Sequence, residues 1–168
     1  DSWEGWYWGA KHVWGMDPFG LPYYDNTNII PDISKNTELL LFWGCDPETT
    51  PWGFGVGQMA SRLCYWFTEL GIKCIYICPD LNYGAAVHAD KWIPIKPNTD
   101  AAMQLAIAYL WITEGTYDKR YVATHTFGFD KFEEYVLGKE DGIPKTPKWA
   151  VEITGVPSRI IKELAREW

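Results

Sequence analysis

The chain has 168 residues, 47% hydrophobic and 17% aromatic, with a formal net charge of −7. That length suits one domain with a buried core, and no apolar run approaches the roughly 20 residues of a membrane span. The acidic balance argues against non-specific nucleic-acid binding, which needs a basic face to displace counterions, but leaves room for an anion held by backbone N–H groups at a helix start.

The opening stretch, "DSWEGWYWGA", crowds Trp3, Trp6, Tyr7 and Trp8 into the first ten residues. It lacks the basic and then apolar regions of a secretory leader, and the start at Asp1 reads as a processed chain or an excerpt. Residues 1–38 show no clean periodicity and are rich in Gly, Pro, Asn and Asp. They predict a long irregular stretch, a kind usually tied to function, with too many aromatics for disorder.

The pattern then sharpens. "LLLFWG" (39–44) is a short apolar run ending at Gly, as a buried parallel strand reads. After the loop "CDPETTPWGFGVG" comes a helix, "QMASRLCYWFTELG", with Met59, Leu63, Trp66, Phe67 and Leu70 on the expected core face and Gly71 as its stop. "KCIYICP" (73–79) is a second buried strand, completing a β-α-β unit. "CPDLNYGAAVHAD" reads as a loop. "KWIPIKP" (91–97) is a third strand, placed near an edge by Pro94. The Ala- and Leu-rich helix that follows starts at Asn98 or Thr99 and ends at Gly115. "DKRYVATHTFG" and "FDKFEEYVLG" are short helical segments closed by Gly. In "TPKWAVEITG", Thr146 suits the N-cap, Pro147 the first helical position and Gly155 the stop. "PSRIIKELAREW" is amphipathic, with Ile160, Ile161, Leu164 and Ala165 on one face. The expected fold class is α/β: a parallel, Rossmann-like three-layer sandwich with a helical C-terminal half. Residues 1–36 form the irregular lead-in and 37–168 the α/β domain.

Ligands of open parallel sheets bind outside the carboxyl ends of the strands. The first loop there, "GCDPETTPWGFGVG", combines Gly44, Gly53, Gly55 and Gly57 with Thr49 and Thr50 ahead of a helix. That suits a phosphate, although it is neither a Walker A loop nor GxGxxG, and a plain strand-to-helix turn explains it as well. In the second loop Asp80 and Asn82 fit a ribose or base contact, or turn chemistry. In the third, Asp100 sits in a first helical turn, where a carboxylate favours the dipole or takes two N–H donors from a guanine edge. Cys45, Cys64, Cys74 and Cys78 match no zinc or iron–sulfur spacing, and Cys74 and Cys78, on one apolar run, read as reduced, buried thiols. His88 and His125 have no ligand partner at i+4 and read as structural or surface residues.

Taken in order, "LLLFWGCDPETT", "CIYICPDLNYGAAVHADKWIPIKPNTDAAM", "GFDKFEEYVLG" and "TPKWAVEITGVPSRIIKELA" resemble the molybdopterin oxidoreductases of the dimethyl sulfoxide reductase type. The family pattern is WGxNP with a following Thr, then IDP, AD-W-P-I-RPGTD, GFD and TPEWA-ITGVP, matched over about residues 37–165. The resemblance implies one internal domain of a larger molybdoenzyme subunit that binds one of two molybdopterin guanine dinucleotides on molybdenum. By position, Gly44, Cys45, Asp46, Pro47 and Thr50 would line the phosphates. Cys78 and Pro79 fall at IDP, with Asp80 or Asn82 as substitutes for its ribose contact, and Asp100 falls at the guanine-binding Asp. Asp46 stands where the family usually has Asn, and Lys96 and Asn98 replace its Arg and Gly.

The opening segment resembles the family's metal-ligand site, in the branch that moves hydroxyl groups between polyhydroxylated benzenes. It implies Ser2 as the molybdenum ligand, a hard oxygen donor suited to a high-valent metal. Asp1 would carry a phenol proton, and Trp3 would wall the phenolic substrate. The resemblance further implies a partner subunit carrying iron–sulfur clusters and an anaerobic, cytoplasmic setting. Alternatives are an oxygen-atom-transfer reductase or hydratase of the same family, or a non-catalytic nucleotide-binding module.

Overall fold

The structure is a computed structural model that describes residues 2–15, 29–49 and 59–168. Its frame is a parallel sheet of β1 (Leu39–Trp43), β2 (Lys73–Ile77) and β3 (Lys91–Ile93), with β2 in the middle. Leu41 pairs with Ile75, and Ile77 with Ile93. The last four residues of β2 are buried, as a strand covered on both faces and flanked on both edges should be. The third strand is shorter than the sequence suggests, because Pro94 has no N–H to continue the ladder.

Successive side chains leave the sheet on opposite faces, and each face carries its own core. On one, Ile75, Ile77 and Ile93 meet Met103, Ala106, Ile107 and Leu110 of α5 (Asp100–Glu114). Ala150 of α8 (Pro147–Thr154) and Ile161 and Leu164 of α9 (Ser158–Glu167) complete it. On the other, Cys74, Tyr76 and Cys78 pack with Ala85 of α4 (Tyr83–His88), and Phe42 stacks on Tyr76 at 4.4 Å. Next to α4 runs α3 (Met59–Glu69), which buries Cys64 and Phe67. The order helices, sheet, helices is the expected three-layer α/β sandwich.

Helix signals hold to the residue at the ends of α5 and α8, whereas the helix in "DKRYVATHTFG" stops at His125 and its Gly128 caps the start of the next one. Thr146 accepts from Trp149 N, Pro147 opens α8, and Gly115 and Gly155 take left-handed conformations at the ends of α5 and α8. Two short helices, α6 (Lys119–His125) and α7 (Phe129–Val136), lie between them. Lys145 is buried without any sequence signal. Its ammonium meets the Asp141 carboxylate and the Ile143 carbonyl and lies 4.3 Å from the Tyr135 ring centre.

Three expectations are corrected. Residues 1–38 are not irregular where described: α1 (Ser2–Trp14) and α2 (Ile29–Asn36) are helices. The sequence of α1 shows no single apolar spacing, while Lys11 and His12 in its last turn suit the helix dipole. "YGAAVH", read as loop, is α4, too short to show a period. The apolar face expected of α3 is only partly core. Met59, Trp66 and Leu70 are 55%, 42% and 45% exposed, because the buried side centres on Phe67 and the unexpected Cys64.

Met103 is wholly buried at the centre of the larger core. Met103→Ala should cost about 2–5 kcal/mol, read as an earlier midpoint in urea unfolding of the protein. An unchanged midpoint would mean that this face of the sheet is not packed as described.

Candidate functional site

The three loops beyond the carboxyl ends of the strands form one edge, and side chains bind them together. The first begins at Gly44, whose N–H continues the ladder to Ile77 O at 2.9 Å and whose φ of 61° lies in the left-handed region. Glycine adopts that conformation without strain, and there it turns the chain sharply out of β1. Cys45 is exposed at the turn, and Pro47 is half-buried.

Asp46 turns the other way. It is 8% exposed and accepts four hydrogen bonds: from Glu48 N at 3.0 Å, Thr49 N at 3.4 Å, Thr49 Oγ1 at 2.6 Å and Gly84 N at 3.3 Å. Burial alone would raise its pKa, but the Thr49 hydroxyl and the three backbone donors outweigh it and hold the carboxyl below its ordinary value. A carboxylate only accepts, so it suits a point on which four donors converge. This gives a physical reason for Asp where the family pattern has Asn. Any ligand contact from this residue is left to its backbone.

Gly84 makes the close approach possible. A Cβ there would sit 2.7 Å from Asp46 Oδ1 and 3.0 Å from Tyr76 Cε1. Asp46 thereby ties the first loop to the helix that follows the second.

Glu48 adds a deeper tie. Its Oε1 accepts from Ser61 Oγ at 2.6 Å, and its Oε2 lies 2.8 Å from His88 Nε2. Their side chains are 4% and 1% exposed. The Glu48–His88 approach is close but not aligned as a hydrogen bond. Thr68 bridges His88 Nδ1 and Cys64 O, and the Tyr65 ring stands edge-on to His88 at 4.5 Å. His88 is therefore a structural residue, while His125 is exposed and stacks on Tyr121. The Glu48–His88 pairing escaped sequence reasoning because its partners lie 40 positions apart on a loop and an unrecognised helix.

In the second loop, Cys78 is 2% exposed. Its thiol donates to Asp80 O at 3.2 Å and lies 3.6 Å from Asn82 Nδ2, which points a donor at the sulfur. Burial pushes the thiol's pKa up. Asn82 caps α4 by accepting from Ala85 N, so turn chemistry accounts for it. Pro79 and Asp80 are exposed beyond the end of β2. All four cysteines are free thiols.

The third loop departs from its family pattern at two residues. Asn98, at the usual Gly, has a φ of 61°, and Asn tolerates that region better than most residues. Lys96, at the usual Arg, lays its stem along Gly155 and reaches Glu152 O at the end of α8. Asp100 then opens α5, half-buried, and its Oδ1 accepts from Trp43 Nε1 at 2.8 Å. This bond joins the first and third loops. Among the described residues, Asp100 Oδ2 takes no hydrogen bond.

The structure thus brings Gly44, Cys45, Asp46, Pro47, Cys78, Pro79, Asp80 and Asp100 to one edge of the sheet. Asp1 and Thr50 lie outside the described residues, as do the side chains of Ser2 and Trp3. Among the described residues, no group of three His, Cys, Asp or Glu side chains could hold a metal ion. No described helix is long and apolar enough to cross a membrane.

This donor set fits a nucleotide-bearing cofactor. A glycine turn ends one strand, a half-buried carboxylate keeps one oxygen open at the start of a 15-residue helix, and exposed loop backbone lies between them.

Residues 19–161 match the family described as Molybdopterin oxidoreductase. The chain is 44% identical over all of its 168 residues to the pyrogallol hydroxytransferase large subunit of Pelobacter acidigallici, covering 19% of that protein. It is 36% identical over 148 residues to the dimethyl sulfoxide/trimethylamine N-oxide reductase of Rhodobacter capsulatus, covering 87% of the chain and 18% of the reductase. Among solved structures, acetylene hydratase from Pelobacter acetylenicus superposes with a TM-score of 0.60 at 28% identity, over 79% of this chain and 16% of the hydratase. The chain therefore spans about a fifth of the length of the curated relatives it matches.

Two outcomes follow from the Asp46 cluster. Gly84→Ala should destabilise the protein by about 1–3 kcal/mol, the usual cost of overpacking, seen as a lower thermal midpoint. Wild-type stability at 84 would place Asp46 elsewhere. Because the folded-state pKa of Asp46 is lowered, its stabilisation is complete above about pH 4, the ordinary carboxyl value. It is lost as pH falls through the lowered folded value. Asp46→Asn should therefore lose stability at neutral pH and flatten the acid limb of the stability–pH curve. An acid limb identical to wild type would exclude this role.

Proposed function

The chain belongs to the molybdopterin oxidoreductase family, and we propose that it is a guanine-dinucleotide-binding domain of a hydroxyl-transferring molybdenum subunit. In this reading the whole protein moves a hydroxyl group between polyhydroxylated benzenes, pyrogallol to phloroglucinol. The donor ring exchanges OH for H and the acceptor ring H for OH, so the sum carries no net redox change. The observation that carries it is the identity to the pyrogallol hydroxytransferase large subunit. It extends over the whole chain, opening segment included, and exceeds that to the sulfoxide and N-oxide reductase.

When bound, the molybdenum–pterin group supplies a metal centre whose oxidation state can change during turnover. The chain's own residues divide the remaining work. Ser2 supplies an oxygen ligand to the metal. Asp1, beside it, accepts and returns a phenol proton, and Trp3 walls the aromatic ring of the substrate. Gly44, Cys45, Pro47 and Thr50 present loop backbone to the cofactor phosphates, and Asp46 holds that loop in shape from beneath. Pro79 and Asp80 border the ribose in place of the buried Cys78. Asp100 accepts from the guanine edge.

The rest of the same subunit completes the site. A second subunit carries iron–sulfur clusters, and the enzyme works in an anaerobic cytoplasm. The second reading is an oxygen-atom-transfer reductase or a hydratase. It is favoured by the likeness to the N-oxide reductase and to acetylene hydratase.

In the intact enzyme, Ser2→Ala should abolish molybdenum-dependent conversion of pyrogallol, and full activity in that variant would remove Ser2 as ligand. Asp1→Asn should lower turnover by roughly 100-fold or more, the scale of general acid–base catalysis, with molybdenum content unchanged. Turnover of sulfoxides or N-oxides in place of pyrogallol would favour the second reading.

A further inference from the structure

We propose that Trp43 is a positioning residue for guanine recognition: its indole N–H fixes the carboxylate of Asp100 in the orientation that accepts the base. The inference rests on the guanine-binding reading of Asp100 given above.

A carboxylate in the first turn of a helix is usually explained by the helix itself, through its dipole or a capping bond. Asp100 is not placed that way. Among the described residues, no backbone N–H donates to its side chain, and Ala102 N turns back to Thr99 O instead. The Thr99 hydroxyl donates to Lys96 O rather than capping α5. The partner of Asp100 is the indole of a residue 57 positions earlier in the chain, at the last position of β1, with 2.8 Å between Nε1 and Oδ1.

Trp43 is itself held. It packs on the larger core beside Leu39 and Leu41. Its ring lies 6.2 Å from that of Trp168, which meets Trp111 edge-on at 5.0 Å. Trp111 in turn donates to Ala165 O at 2.6 Å. The indole N–H is therefore a fixed donor at the carboxyl edge of the sheet.

Guanine offers two parallel N–H donors, from its ring nitrogen N1 and its exocyclic amino group. A carboxylate meets both only when its plane is set. Each oxygen has two lone pairs, so Oδ1 can hold the indole and still accept from the base, while Oδ2 stands open. Adenine and cytosine place a ring acceptor beside their amino donor. A carboxylate fixed in this way would oppose that lone pair and reject them.

The test uses the whole cofactor-loaded enzyme in a urea concentration that leaves its far-ultraviolet ellipticity unchanged. The rate of loss of guanine-bearing cofactor is measured as guanine nucleotide remaining per polypeptide after gel filtration. Asp100→Asn and Trp43→Phe should each speed the loss by roughly two- to tenfold, the scale of one hydrogen bond. The double variant should lose cofactor no faster than Asp100→Asn alone. Trp43→His, smaller than Phe but still an N–H donor, should retain guanine better than Trp43→Phe; a role in packing alone would reverse that order. Fast loss from Asp100→Asn with wild-type loss from Trp43→Phe would overturn the role of Trp43 and leave the Asp100 reading standing. Additive effects in the double variant would do the same. A wild-type rate from Asp100→Asn would overturn both.

Discussion

Gly84 approaches Asp46 so closely that a methyl group could not stand between them, and this contact governs how the loops at the carboxyl edge of the sheet are assembled. The Asp46 carboxylate gathers the Thr49 hydroxyl, two N–H groups of its own loop and the N–H of Gly84. A turn leaving one strand is thereby fastened to the helix that follows the next. The cost of burying the charge is offset because every donor faces an ionised acceptor. Beneath it, Tyr76 fills the space and is wholly buried. The buried Glu48–His88 contact anchors the same loop to α3 and α4 from behind.

Asp46 and Cys78 turn inward at that edge, leaving Gly44, Cys45, Pro79 and the Asp80 carboxylate with loop backbone at the surface. A dinucleotide bound as proposed would meet loop backbone at its phosphates and a carboxylate at its base. Asp100 would supply that carboxylate, and the bond from Trp43 ties the start of its helix to the end of β1. The chain spans about a fifth of its relatives' length. Met59 and Trp66 on α3 and Leu70 just after it expose apolar surface of the kind a neighbouring domain covers.

Much of the fold is legible in the sequence because its signals are local. The apolar runs of β1 and β2 announce buried strands. Thr146, Pro147 and Gly155 mark α8 to the residue, since a cap bond, a missing N–H and a left-handed φ each depend on one position. What was hidden is non-local or short. The helix Tyr83–His88 has too few turns to show a period. The sequence of α1 spaces its aromatics at no single helical period. The burial of Asp46, Glu48 and His88 depends on partners far away in the chain. That the three loops meet at one edge of the sheet was legible from the order of the strands, but not the direction in which each side chain turns. Asp46 and Cys78 turn inward, and Asp100 pairs with Trp43, through contacts that no local pattern carries. Asn98, where the family pattern has Gly, takes a left-handed φ, a conformation that glycine adopts freely.

The central claim is that the three loops beyond β1, β2 and β3 hold the guanine end of a molybdenum cofactor. Diffraction from crystals of the whole cofactor-loaded protein tests it most directly. The account predicts a guanine ring with its N1–H and amino group at hydrogen-bond distance, about 3 Å, from the Asp100 carboxylate, and the Trp43 indole still bonded to Oδ1. A nucleotide bound away from Asp100, or a different base at that carboxylate, would contradict it.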